Sequence, residues 1–167
     1  DNNGCLISGS VSINQPNPLT AISSSTDVSC NGGNDGTAEI NSISGGVPPY
    51  STDWFGADTN NLSAGSYSYN ISDDNGCLTS GSVSINQPNP LTAISSNTDV
   101  SCNGGSNGTA EINSISGGVP PYSTNWFGAD TNNLNAGSYS YSVSDNNGCS
   151  TSGTVSINQP NPLTAIS

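Results

Sequence analysis

The chain repeats itself, and that period limits it to small units used in succession. Asp1-Asn2-Asn3-Gly4-Cys5 returns as Asp73-Asp74-Asn75-Gly76-Cys77 and as Asp145-Asn146-Asn147-Gly148-Cys149, 72 positions apart each time. Such self-similarity marks a tandem array. One stretch, Gly45-Gly46-Val47-Pro48-Pro49-Tyr50-Ser51-Thr52-Asp53-Trp54-Phe55-Gly56, returns from Gly117 to Gly128. The two copies hold both Trp and both Phe of the chain. Gly-Gly-x-Pro-Pro cannot continue a helix, and proline lacks the N–H that a central strand needs. It reads as a rigid corner. Tyr50, Thr52 and Trp54 then alternate onto one face of a short strand. Large aromatic side chains are more often core anchors than exposed ligand platforms. Trp54 and Trp126 are therefore expected inside, as a β-sandwich places its Trp after a sharp turn.

Counted by identity, the chain holds the end of one unit and two whole units, 24–95 and 96–167. The two whole units differ at ten positions, mostly exchanges among Ser, Asn and Asp. Phased on expected strands, residues 1–18 end a truncated repeat. Residues 19–90 and 91–162 form two β-sandwich repeats, and 163–167 begin another. The chain reads as a slice of a longer array.

Within 19–90, Leu19 to Val28 is expected as a first strand, with Ile22 and Val28 of equal parity. Asn31 to Gly36 is turn chemistry. Thr37 to Ile40 forms a second strand with Ala38 and Ile40 inward. Leu62 to Tyr67 reads as the corner entering a penultimate strand, where Tyr67, Tyr69 and Ile71 face in. Asp73-Asp74-Asn75-Gly76 is a hairpin turn, and Leu78 to Ile85 returns with Val83 and Ile85 inward. Gln87-Pro88-Asn89-Pro90 is a stiff, extended linker. No window has a helical period. Low charge with much Gly and Pro raises disorder as a rival, yet the apolar residues keep strand spacing in every unit. Tyr67 and Tyr139 join the two Trp as core anchors. About a dozen apolar residues per unit make a thin core, and small domains commonly need a covalent staple.

The chain has no Lys, Arg or His and a formal charge of −12. Nucleic acid and anionic membrane surfaces are excluded as partners, because phosphate binding needs cations. No apolar run approaches the ~20 residues of a membrane span, so no membrane insertion is expected. The acid/base repertoire is bare. Asp53 and Glu39 could suggest a glycosidase pair, but Asp53 becomes Asn125 one unit on. An enzyme is not expected.

Each whole unit carries two cysteines, Cys30 with Cys77 and Cys102 with Cys149; Cys5 belongs to the truncated unit. Without C-x-x-C or His, a disulfide framework is the natural reading, and it implies an oxidising compartment. Pairing Cys30 with Cys77 is favoured, because the loop it closes gives up to ~4 kcal/mol in the chain-entropy model. Against it, the two cysteines fall at opposite ends of a sandwich with ordinary strand order. A bond between adjacent units, such as Cys30 with Cys149, is the alternative and would lock the array into a rod. Free thiols are the third reading.

The order Val28-Ser29-Cys30-Asn31-Gly32-Gly33, Gly45 to Tyr50, Trp54, Leu62 to Tyr67, Asp73 to Cys77 and Gln87-Pro88 resembles the SprB repeat of gliding and surface adhesins in Bacteroidota. The resemblance covers the whole chain. It implies tandem immunoglobulin-like β-sandwiches on large proteins exported by type IX secretion, with roles in cell adhesion and gliding motility. It transfers no catalytic residue.

Three candidate sites remain. Asp73 to Gly76 and Asn34-Asp35-Gly36 could offer oxygens to Ca²⁺. Ordinary turns explain them better, since Asp35 and Asp74 become Asn in the next unit; no cofactor is expected. The linker at Gln87 to Pro90 is a better place to look for an ion. Asp58-Thr59-Asn60 and Asp130-Thr131-Asn132 resemble an O-glycosylation signal of Bacteroidota, making Thr59 and Thr131 acceptor candidates in a glycoprotein. The sequons at Asn61, Asn70 and Asn107 are not shared between units and read as coincidence. The expected protein is extracellular, at the cell surface. Its partners are neighbouring repeats of its own chain, further copies in an extracellular filament, or a surface or glycan receptor met through exposed Tyr.

Overall fold

The computed structural model describes residue 4 and residues 7–165; Cys5 lies outside the described residues. It is all-β: every strand pairing is antiparallel, and no helix occurs among the described residues. The strands are β1 (Thr20–Thr26), β2 (Thr37–Ser44), β3 (Ser51–Asp53), β4 (Gly65–Ser72) and β5 (Leu78–Ile85). They are followed, strand for strand, by β6 (Thr92–Thr98), β7 (Thr109–Ser116), β8 (Ser123–Asn125), β9 (Gly137–Ser144) and β10 (Ser150–Ile157). In each set the first two strands form one sheet and the other three form a second, in the orders β1-β2 and β3-β4-β5. Leu62 adds an isolated bridge to Gly36. The amide of Val28, just past β1, donates to the carbonyl of Asn86, just past β5, at 3.1 Å. Ser25 likewise donates its hydroxyl to the carbonyl of Ser84. The first and last strands of a unit thus lie side by side and run the same way.

Period-two patterning puts the core where alternation demands it. Tyr69 and Ile71 of β4 and Val83 and Ile85 of β5 are buried, together with Val28, Ala38 and Leu62. Ser66, Ser68, Ser82 and Ser84, at the intervening positions, are exposed. Tyr69 pairs in register with Gly81, whose missing Cβ leaves room for the phenol ring. Tyr67 donates its hydroxyl to the carbonyl of Ser63 at 3.0 Å, and Tyr139 to that of Asn135 at 3.1 Å. This tie fixes the corner before β4, as a tyrosine corner does in sandwich folds. Because the acceptor is a backbone carbonyl, the Ser63-to-Asn135 exchange leaves it intact.

Three expectations change. Ile22 is 66% exposed, because β1 turns Ala21 and Ser23 inward and ends at Thr26, so its alternation is not carried on to Val28; the register shift opposite Ile22 and Ser23 is taken up by the extra residue Asn41 of β2. Trp54 and Trp126 are half-buried rather than enclosed, each packed on the core cluster. Their rings meet Tyr69 at 4.9 Å and Tyr141 at 5.1 Å between centroids. Tyr67 and Tyr139 are also half-buried, so the deeper tyrosines are Tyr69 and Tyr141. Phe55 and Phe127 are 61% and 65% exposed. The side-chain oxygen of Asp53 accepts the Phe55 amide at 2.7 Å, closing a turn in which Phe55 takes φ 55°.

Candidate functional site at the junction between units

The linker from Asn86 to Leu91 is held from both sides. The first unit grips it with the loop that follows β1. The Asn86 amide donates to Asp27 Oδ1 at 2.7 Å. The Gly32 amide donates to Gln87 Oε1 at 2.8 Å, and Asn31 Nδ2 to the Pro88 carbonyl at 3.0 Å. The second unit grips it with the Gly-Gly corner. The Gly118 amide donates to the Asn89 carbonyl at 2.8 Å. Gly117 sits at φ 76°, and any Cβ there would collide with the Pro90 carbonyl. The paired glycines thus let the linker backbone pass, which is a stricter demand than turning a corner.

The corner is in turn fastened to the β9–β10 hairpin by Asp145. This buried carboxylate accepts the amides of Val119 at 2.8 Å, Asn147 at 2.9 Å and Cys149 at 2.9 Å. Asp73 does the same in the first unit for Val47, Asn75 and Cys77. Burial pushes both carboxyls up, but the donating amides together outweigh it and hold each below the usual carboxylate range. A carboxyl with a lowered folded pKa contributes stability above its unfolded pKa, near about pH 4. That contribution is lost as pH falls through the folded value. Thermal melts from pH 7 to 2 should therefore show wild type ahead of the Asp73→Asn, Asp145→Asn double variant at neutral pH. The gap should close below pH 4; a gap that persists unchanged to pH 2 would contradict the role given to these carboxylates.

Corner and hairpin bring Cys149 to the first unit's loop. Cys30 and Cys149 form a disulfide, with S–S 2.04 Å, Cα–Cα 5.6 Å and a sequence separation of 119 residues. Beside it, Asn147 Nδ2 donates to the Ser29 carbonyl at 3.0 Å. The favoured pairing of Cys30 with Cys77 is corrected. Cys30 stands at the exit end of its unit, against the linker to the next. Cys77 stands at the entry end, lining a notch with Gly46 and residues 15–19. Cys77 and Cys102 are free and exposed.

The other candidate residues have local roles. Asp35 accepts the Ser29 amide at 3.0 Å, and Asn107 accepts the Ser101 amide at 3.1 Å. Asn125 likewise replaces Asp53 as acceptor for the amide of Phe127. An amide oxygen serves as well as a carboxylate at both places, which accounts for the exchanges. Among the described residues, no three His, Cys, Asp or Glu come together as a metal set. Thr59 and Thr131 are half-buried, and their carbonyls accept the amides of Ala38 and Ala110. Asp58 closes the turn around Thr59 by accepting from Asn60 and Asn61. A groove of about 520 Å³ runs along β2 between Glu39, Asn41, Tyr50 and Trp54. No tyrosine is fully exposed, and the hydroxyls of Tyr50 and Tyr67 are tied to backbone carbonyls.

Residues 22–59 and 94–131 match the family model of the SprB repeat. These two segments are SprB-repeat matches, one in each unit. No curated protein and no solved structure matches it. Each matched SprB segment contains the first cysteine of its unit and its Trp, and ends before the hairpin cysteine. The disulfide therefore ties the matched segment of one SprB repeat to the hairpin that follows the matched segment of the next. The sequence signal for this junction was the constant company of Gly-Gly-x-Pro-Pro and Gln-Pro-Asn-Pro in every unit.

Proposed function

We propose that this chain is a structural repeat segment of a large secreted cell-surface adhesin or fibre of a Bacteroidota-type bacterium. Its immunoglobulin-like sandwiches stand in line as a rod and give reach for adhesion or gliding. The observation that carries the reading is the Cys30–Cys149 bond across the linker, which makes two thin-cored units one covalent body. The SprB repeat match supports a surface adhesin, and a disulfide suits an extracellular compartment. The strand order supports the immunoglobulin-like assignment: a corner tyrosine, a three-stranded sheet with its central strand between the first and last, and a first strand running alongside the last.

Scattering and sedimentation test the rod. Strands of eight residues plus loops and linker give each unit roughly 35–40 Å of length. The expected result is a mass of one chain at all concentrations, with a maximum dimension that grows by one unit length per added repeat. Pelleting filaments would favour the self-assembling alternative, and a compact particle would overturn both. Antibodies against the chain should label intact cells of the source bacterium; labelling only after lysis would remove the surface assignment.

A further inference from the structure

The molecule displays the same junction three times: once closed and twice as separate halves. The closed one joins Cys30 to Cys149 around the Gln87–Leu91 linker. At the far end of the second unit, Cys102 stands in the setting of Cys30. The Val100 amide donates to the Asn158 carbonyl, Gly104 to Gln159 Oε1 at 3.0 Å, and Asn103 Nδ2 to the Pro160 carbonyl at 3.1 Å. A notch of about 430 Å³ opens there beside Cys102 and Pro162. At the near end of the first unit, Cys77 stands in the setting of Cys149. The Gly46 amide donates to the Asn17 carbonyl at 2.8 Å, and Asp73 holds the corner to the hairpin. Both thiols are free and exposed, and each face already grips its linker as the closed junction does.

We propose that each face accepts one more SprB repeat, joined through that linker, and that the bond recurs as a ladder. Cys102 bonds the hairpin cysteine of a following repeat, and Cys77 bonds the loop cysteine of a preceding one. The Ser101 carbonyl, like that of Ser29, receives the Asn side-chain amide of the incoming Asp-x-Asn-Gly-Cys tip. A separate copy of the chain is the wrong partner. It would bring its own residues 15–19 into the space that residues 159–163 fill. Each bond forms as two thiols lose two protons and two electrons. The electrons reduce an external disulfide to two thiols. The inference rests on the geometry of the junction and stands or falls apart from the surface-adhesin reading.

The test extends the chain beyond Ser167 with a copy of residues 96–162, which completes one further unit; the copy carries Ser106→Asn and Ser150→Leu, the residues found at the equivalent positions Asn34 and Leu78, so that its cysteine peptides differ in mass from those of the second unit. The protein is oxidised with glutathione disulfide and mapped by non-reducing peptide mass spectrometry. The expected map links Cys102 to the copied Cys149, recovered in equal amount with the Cys30–Cys149 pair, which reports correct folding in the same molecules. Introducing Cys102→Ser should leave Cys30–Cys149 intact and free one thiol, that of the copied Cys149, for alkylation. Cys102 bonded within its own unit, or still reduced where Cys30–Cys149 has formed, overturns the ladder.

Discussion

Pulled from its ends, the oxidised chain is expected to give about 400 Å less contour length than the reduced chain. The disulfide closes a loop with a sequence separation of 119 residues, and an extended residue spans at most ~3.3–3.6 Å. While the bond holds, force enters along β1 to Cys30, crosses the sulfurs, and leaves from Cys149 along β10. Both strands are already extended, so little slack remains. The two loaded strands lie in different units, each beside the strand of its own unit that runs with it, β5 beside β1 and β6 beside β10. Force spectroscopy with and without a reductant reads the difference directly. Equal contour gain in both conditions would show that the bond does not carry the load. The same bond limits the unfolded chain, which in the entropic model contributes roughly 5 kcal/mol for a loop of this size. Two thin cores of seven buried apolar residues each would thus lose their main reinforcement on reduction. A ladder of such bonds would leave an array that transmits tension almost without stretching, which suits a surface thread that must hold rather than yield.

The strands were legible because Ser and Asn alternate so regularly with Tyr, Ile and Val. Tyr69, Ile71, Val83 and Ile85 fall inward with no competing signal, and the Asp-x-Asn-Gly turn sets the register of β4 against β5. Ile22 was misread because its parity was counted through to Val28, whereas β1 ends at Thr26 and turns Ala21 and Ser23 inward. The disulfide was not legible from spacing. Spacing says how long a loop a bond would close; strand order says which end of a unit each cysteine occupies. In a tandem array the exit end of one unit is nearer to the entry end of the next than to its own, so the neighbour wins. The Gly-Gly pair shows the same limit. Its turn chemistry was visible, but the backbone passing over it belongs to the linker before β6.

Replacing Gly117 by Ala is expected to weaken the junction more than any other single-methyl change. A non-glycine residue in the left-handed region costs about 1–3 kcal/mol, and here the new Cβ also meets the Pro90 carbonyl. The linker must move away, which endangers the hydrogen bond from Gly118 to Asn89, worth about 1 kcal/mol. Together these predict a loss of about 2–4 kcal/mol in denaturant unfolding, with a lower yield of Cys30–Cys149 under a fixed glutathione ratio. Gly45→Ala makes the same collision with the Pro18 carbonyl, but its hairpin cysteine, Cys77, is unbonded. It should therefore cost similar local stability and leave the Cys30–Cys149 yield unchanged. The pair of variants separates the two uses of the corner: folding its own unit, and presenting Cys149 to the preceding one. If both variants formed the bond as wild type does and melted together with it, the linker's passage over the glycines would not be what positions the disulfide.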